Sequence, residues 1–112
     1  MAQYLPVLDT TFSALSDGTR RGILEQLGLG EASIGDLAAQ FEMTLTGIKK
    51  HVQLLEGAGL LTTQKVGRVR RCRLGPRRLE QESAWIGAYR QMLDERLDHL
   101  ATFLEQTKGQ EP

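Results

Sequence analysis

One cysteine, two histidines, three prolines and no apolar run near the roughly 18 residues that a membrane helix requires are what this 112-residue sequence has least of. Each shortage excludes something. A lone Cys72 rules out an internal disulfide framework and multi-cysteine zinc motifs, and leaves open only a pairing across two chains. The opening MAQYLPVLDT lacks the basic flank and apolar stretch of a signal peptide, so a cytoplasmic location with no membrane partner is expected. There is no glycine-rich nucleotide loop, and His51 and His99 fall in different expected helices with no nucleophile and orienting acid beside either. The chain therefore reads as a non-enzyme without a cofactor. No repeat, low-complexity tract or linker divides it, and a chain of this size buries enough surface to fold unaided, so one domain over 1–112 is expected.

A further scarcity is local. Net charge is zero, yet from Thr44 to Arg78 nine basic residues (Lys49, Lys50, Lys65, Arg68, Arg70, Arg71, Arg73, Arg77, Arg78) meet one acid, Glu56, which gives +8. The remainder, with five basic and thirteen acidic residues, carries −8. Positive charge gathered into a third of a neutral chain is the footprint of a surface built for phosphate.

Periodicity places that surface. Leu5, Leu8, Phe12 and Leu15 predict a first helix ending near Ser16. Asp17 then caps a second helix whose stripe is Ile23, Leu24 and Leu27, stopped by Gly28 and Gly30. Ser33 and Asp36 make a capping-box pattern ahead of Ile34, Leu37, Ala38 and Phe41. Only EMT separates this third helix from a fourth over 44–57, capped by Thr44, so the pair reads as a helix-turn-helix. The fourth helix is expected to bury Leu45, Ile48, Val52 and Leu55, and to present Thr46, Lys49, Lys50 and Gln53 on its other face. Gly57 or Gly59 ends it, and LLTTQKV and VRRCRL flank Gly67-Arg68 as a two-stranded hairpin within 60–75. Pro76 is placed to start a last helix over 77–107, about 45 Å long, with a frayed tail TKGQEP. Its stripe of Ile86, Tyr89, Leu93, Leu97, Leu100 and Leu104, widened by Trp85, Met92 and Phe103, is longer than a small winged core can cover, so part of it is expected to meet a second subunit.

With LSDGTRRGILEQL, IGDLAAQF, IKKHVQLLEGAGLL and VGRVRRCRL in this order, the sequence resembles the ArsR/SmtB family of bacterial winged-helix repressors over nearly its whole length. Gly18, Val52 and Cys72 depart from the family's usual proline, leucine and aromatic residue, and none of the three removes a DNA contact. The resemblance implies a mainly helical winged helix-turn-helix with five helices and a two-stranded wing. It also implies a homodimer paired through the first and last helices, with Leu8, Phe12, Trp85, Tyr89, Leu93, Leu97, Leu100 and Leu104 at the interface, and repression by operator binding. The WIGAYRQMLDERLDHLATFLE stretch looks like a subgroup without the metal-sensing cysteines, and ASIGDLAAQ carries no thiol.

The expected partner is double-stranded DNA. Thr46, Lys49, Lys50 and Gln53 are expected to enter the major groove, with Gln53 the best candidate to read adenine, and Gly47 and His51 are counted among the DNA-binding positions beside them. Arg68 and Arg70 at the hairpin tip reach backbone or minor groove, and Lys65 is counted among the DNA-binding cations. Gly47 weakens the helix but permits close backbone approach, and His51 sits between the two faces. Arg20 and Arg21, at a helix start where cations oppose the dipole, ask for a phosphate or carboxylate or else are a solubilising pair. Three other readings stand beside this one. The long aromatic helix fits a protein-binding module; Cys72 between two arginines fits a thiol switch; Asp94, Asp98 and His99 fit a metal sensor poorly, being short of nitrogen and sulfur ligands. No effector is legible.

Overall fold

Caps and apolar faces cut the chain up to Arg78 into four helices and a small sheet. The computed structural model describes residues 5–108. Helix α1 (Pro6–Leu15) opens with proline at its first position, and α2 (Gly18–Leu29) begins at Asp17, whose carboxylate accepts the Arg20 N–H at 3.0 Å. The two arginines of the first turn of α2 reach back to the end of α1. Arg20 Nε donates to Ala14 O at 2.8 Å and a terminal nitrogen to Ser13 O at 3.1 Å, while Arg21 donates to Leu15 O at 2.7 Å. They satisfy the last carbonyls of α1, where the negative end of that helix dipole favours cations.

The capping box that opens α3 (Ile34–Gln40) has both of its bonds: Asp36 N–H to Ser33 Oγ at 2.9 Å and Ser33 N–H to Asp36 Oδ2 at 3.3 Å. Thr44 caps α4 (Leu45–Gly57) by accepting the Gly47 N–H at 3.0 Å. Both helices end in the same hydrogen-bond pair. After α3, Met43 N–H bonds Ala38 O and Glu42 N–H bonds Ala39 O, with Glu42 at φ 53°; after α4, Leu60 N–H bonds Leu55 O and Gly59 N–H bonds Glu56 O, with Gly59 at φ 73°. The first of these is the turn between the two helices.

Strands β2 (Leu61–Val66) and β3 (Val69–Leu74) pair antiparallel from Leu61↔Leu74 to Val66↔Val69, closed by a two-residue turn with Gly67 at φ 65°. The sheet has a third member. A two-residue strand β1 (Ala32–Ser33) pairs with the far edge of β3, Ala32 opposite Cys72 and Ser33 opposite Arg71, so β3 is central in the order β1-β3-β2. Ile23, Leu37, Ile48, Val52, Leu55, Leu61 and Cys72 form the core beneath this sheet.

Several expectations are corrected here. Leu45 was expected in the core and is 54% exposed, because the first residue of α4 lies beside the hairpin and not under it. Gly28 does not stop α2, which continues to Leu29 and ends on Gly30. The last helix does not start after Pro76. Residues 77–79 are irregular, with Leu79 at φ 61°, and α5 runs over Glu80–Lys108.

The second unit, from Leu79 on, is α5 itself, 29 residues and about 44 Å long. The expected frayed tail is helical through Lys108, and the rest of TKGQEP lies outside the described residues. Nine large apolar side chains from Trp85 to Leu104 are 41–63% exposed along it. At 100° per residue they fall in one stripe about 140° wide, and Trp85 and Tyr89 stack within it at 5.6 Å. None of the described helices is long and apolar enough to cross a membrane.

Candidate nucleic-acid interface

The side chains of α4 divide by helical angle into three groups. Ile48, Val52 and Leu55 enter the core. Thr46, Lys49, Lys50 and Gln53 are exposed together on the opposite side, as their spacing requires. His51 lies on the flank against α2. Its Nδ1 is 3.2 Å from an Arg20 guanidinium nitrogen and 4.0 Å from Asp17 Oδ2. The Asp17 carboxyl is held below the usual carboxylate range chiefly because it accepts the Arg20 N–H; desolvation, next in size, opposes this, and the neighbouring His51 and Arg20 lower it further. Gly47 is half-buried, with Met43 and Thr44 side chains where a Cβ would point.

Alternation along the hairpin sorts its cations. Lys65 and Arg70 are partners across the ladder, and they share the sheet face of Thr63 and Cys72, the face that packs on α4. Arg71 and Arg73 point to the other face, Arg71 3.7 Å from Glu31 and Arg73 bonded to Thr62 Oγ1 at 3.4 Å. Arg77 does not join the cationic surface either. One terminal nitrogen donates to Thr11 Oγ1 at 2.9 Å and Ala58 O at 2.8 Å, tying α1 to the end of α4, and its stem occupies the space a Cβ on Gly59 would need. Of the nine cations of the +8 stretch, Lys49, Lys65, Arg68 and Arg70 converge, Arg71, Arg73 and Arg77 engage protein groups, and Lys50 and Arg78 are exposed outside both sets.

The convergent set lines a cleft of about 480 Å³ between the start of α4 and the hairpin. Lys49 from α4 faces Lys65, Arg68 and Arg70, with Leu45, Ile34 and Val69 as the apolar floor and Ser33 and Gly35 at the edge. A second hollow of about 410 Å³ continues it along α4 past Gln53, Glu56 and Thr63, sharing Lys49 and Arg70. Four cations around one open groove attract a polyanion, and the amide of Gln53 beside them can donate and accept at a base edge. Sequence reasoning missed Leu45, Thr63 and Glu56 here. The alternation of β2 and β3 carried the signal for Thr63, since it shares a strand face with Lys65.

Cys72 has no part in this surface. It is 0% exposed on the central strand, and burial, with the negative charge of Glu56, pushes the thiol above its ordinary pKa. A buried, protonated thiol is the reverse of what a redox switch needs, although Arg70 pulls weakly the other way. Asp94, Asp98 and His99 are exposed on α5, and among the described residues no three His, Cys, Asp or Glu side chains are grouped to hold a metal ion.

Comparison with known proteins places the chain among helix-turn-helix regulators. A helix-turn-helix domain model matches residues 15–64. The HTH-type transcriptional regulator Rv2034 of Mycobacterium tuberculosis is 31% identical over 94 residues, spanning 77% of this chain and 88% of the relative. The transcriptional repressor SdpR of Bacillus subtilis is 33% identical over 60 residues, 54% of this chain and 67% of that protein. Among solved structures, that of the ArsR family transcriptional regulator RHA00566 superposes with a TM-score of 0.75 at 37% identity, covering 84% of this chain and 97% of the other.

Proposed function

The chain belongs to the ArsR family of winged helix-turn-helix, DNA-binding transcriptional regulators, which are not enzymes, and from that premise we propose that it works in the cytoplasm as a homodimeric repressor seated across an inverted-repeat operator. In this reading α4 enters the major groove. Thr46, Lys49, Lys50 and Gln53 meet phosphates and base edges there, with Gln53 paired to adenine. The hairpin lies along the adjoining backbone, and Lys65, Arg68 and Arg70 hold the strand that passes through the cleft. The single observation that carries the reading is that Lys49 shares one open cleft with Lys65, Arg68 and Arg70.

The second copy is argued from α5. A monomer seldom exposes a continuous stripe of nine large apolar side chains, and a two-fold partner offers the same stripe in return. Trp85, Tyr89, Leu93, Leu97, Leu100 and Leu104 supply the exposed area of this interface; Phe12 on α1 is half-buried and adds less, and Leu8, 6% exposed, has almost none left to give. Two-fold symmetry then asks for half-sites centred about 34 Å apart, one turn of duplex. Repression follows from occlusion of the promoter, and the Bacillus relative is itself named a transcriptional repressor.

The test uses a duplex enriched from a random library by the purified protein. Replacing Lys49 and Lys50 with alanine is expected to weaken binding and to flatten the salt dependence by about 0.9 in log K per log salt for every phosphate no longer neutralised. Unchanged affinity and slope in a folded variant would remove α4 from the groove.

A further inference from the structure

One acid stands beside the cationic cleft. Glu56, the sole negative charge between Thr44 and Arg78, lines the second hollow beside Gln53 and Arg70. A carboxylate there repels the phosphates that its neighbours attract, so its presence calls for a reason.

The hydrogen bonds supply one. Thr63 Oγ1 donates to Glu56 Oε2 at 2.7 Å and accepts from an Arg70 terminal nitrogen at 2.8 Å. A hydroxyl has one proton and two lone pairs, so the chain runs in one direction, from guanidinium through hydroxyl to carboxylate. The ladder register makes it possible. Thr63 is opposite Cys72, and Arg70 lies two residues back from Cys72 on the same strand face, which sets Thr63 and Arg70 as diagonal neighbours within reach of a long side chain. Glu56 reaches the same face from α4. The relay therefore spans the two elements that flank the cleft, and it occupies one of Arg70's five donors while leaving four for a ligand.

We infer that Glu56 and Thr63 are positioning residues for DNA discrimination: through Thr63 the carboxylate fixes the Arg70 guanidinium in the cleft, and its charge penalises phosphate backbones that do not also engage that guanidinium. The inference rests on the DNA-binding reading of the cleft. A free arginine on a hairpin binds any phosphate; one held in a single orientation favours duplexes whose groove and backbone meet it. Glu56 thus lowers affinity for DNA in general and raises the ratio of specific to non-specific binding.

Four single variants of the full chain and one double variant decide it, measured against the library-enriched duplex and against mixed-sequence genomic DNA, with circular dichroism confirming the fold of each. Arg70→Ala tests the cleft itself, and unchanged binding to both DNAs would reject the cleft reading and this inference with it. Given a loss in Arg70→Ala, Thr63→Val is expected to weaken binding to the enriched duplex about three- to tenfold in the natural background and less than twofold in the Arg70→Ala background, since coupled residues are non-additive. Thr63→Ser, which keeps the hydroxyl, is expected to restore it. Glu56→Gln keeps an oxygen for Thr63 and removes the charge, so genomic DNA is expected to bind about two- to fivefold tighter while the discrimination ratio falls. Equal Thr63→Val losses in both backgrounds, or unchanged genomic binding in Glu56→Gln, would overturn the relay while leaving the cleft in place.

Discussion

Arg77 offers a test of whether the charges of this chain have been sorted correctly. Composition alone groups Arg77 with Arg68, since both belong to the +8 stretch. Geometry separates them: Arg77 ties Thr11 of α1 to the Ala58 carbonyl at the end of α4, and Arg68 lines the open cleft. Arg77→Ala removes two charge-assisted hydrogen bonds that share one nitrogen. Taking each at the low end of its range, because they share that donor and the side chain is only half-buried, the loss is about 2–3 kcal/mol. In a chain of this size that lowers the unfolding midpoint by about 8–12 °C. Arg68→Ala is expected to leave the midpoint within about 2 °C, as surface substitutions do, and to reduce the salt slope of DNA binding by about 0.9 for each phosphate it neutralises. Thermal melts followed by circular dichroism, and salt titrations at a temperature where both variants are folded, read the two effects separately. An Arg77→Ala protein with an unchanged midpoint and the same reduction in slope as Arg68→Ala would mean that Arg77 is a phosphate ligand and that its bonds to Thr11 and Ala58 are incidental.

Three further outcomes are expected. Gly59→Ala places a Cβ 2.8 Å from Arg77 Cδ at φ 73°, costing about 1–2 kcal/mol for the backbone alone; in the Arg77→Ala background only that backbone part should remain, and an equal cost in both would mean that no steric clash exists. Cys72 in the native protein is expected to react with a thiol-specific reagent at pH 8 only as fast as the chain unfolds, because it is buried and its pKa is raised; rapid labelling without unfolding would revive the redox reading. Asp17, whose folded pKa is depressed, contributes stability above its unfolded value of about 3.9 and loses it as pH falls through the folded value. Melts between pH 5 and pH 2.5 should therefore drop further for the natural chain than for Asp17→Asn, and parallel curves would show that this carboxylate is not a source of acid sensitivity.

What the sequence disclosed and what it hid follow from the range of the interactions involved. Caps and faces of the helices depend on neighbours three or four residues away, and Asp17, Ser33 and Thr44 cap where their spacing to the next helix places them. The long-range partners had no such signature. Two residues, Ala32 and Ser33, are too few to show alternation, so the third strand is invisible without the register that pairs it to β3. The arginines look alike in composition, and only the pleat and the packing of α4 decide that Arg70 joins the cleft while Arg71 meets Glu31 and Arg77 turns inward. Leu45 was misplaced because periodicity gives the angle of a side chain and not how far along the helix its cover extends.

In the proposed complex, two copies of the cleft grip one duplex one turn apart. Hydroxyl-radical footprinting of the library-enriched duplex, run beside sedimentation of the complex, reads that arrangement from the DNA side and the protein side together. The expected result is two protected blocks centred about ten base pairs apart, related by a two-fold axis and occupied by two protomers. A single protected block with one protomer bound, or protection with no sequence register, would contradict it.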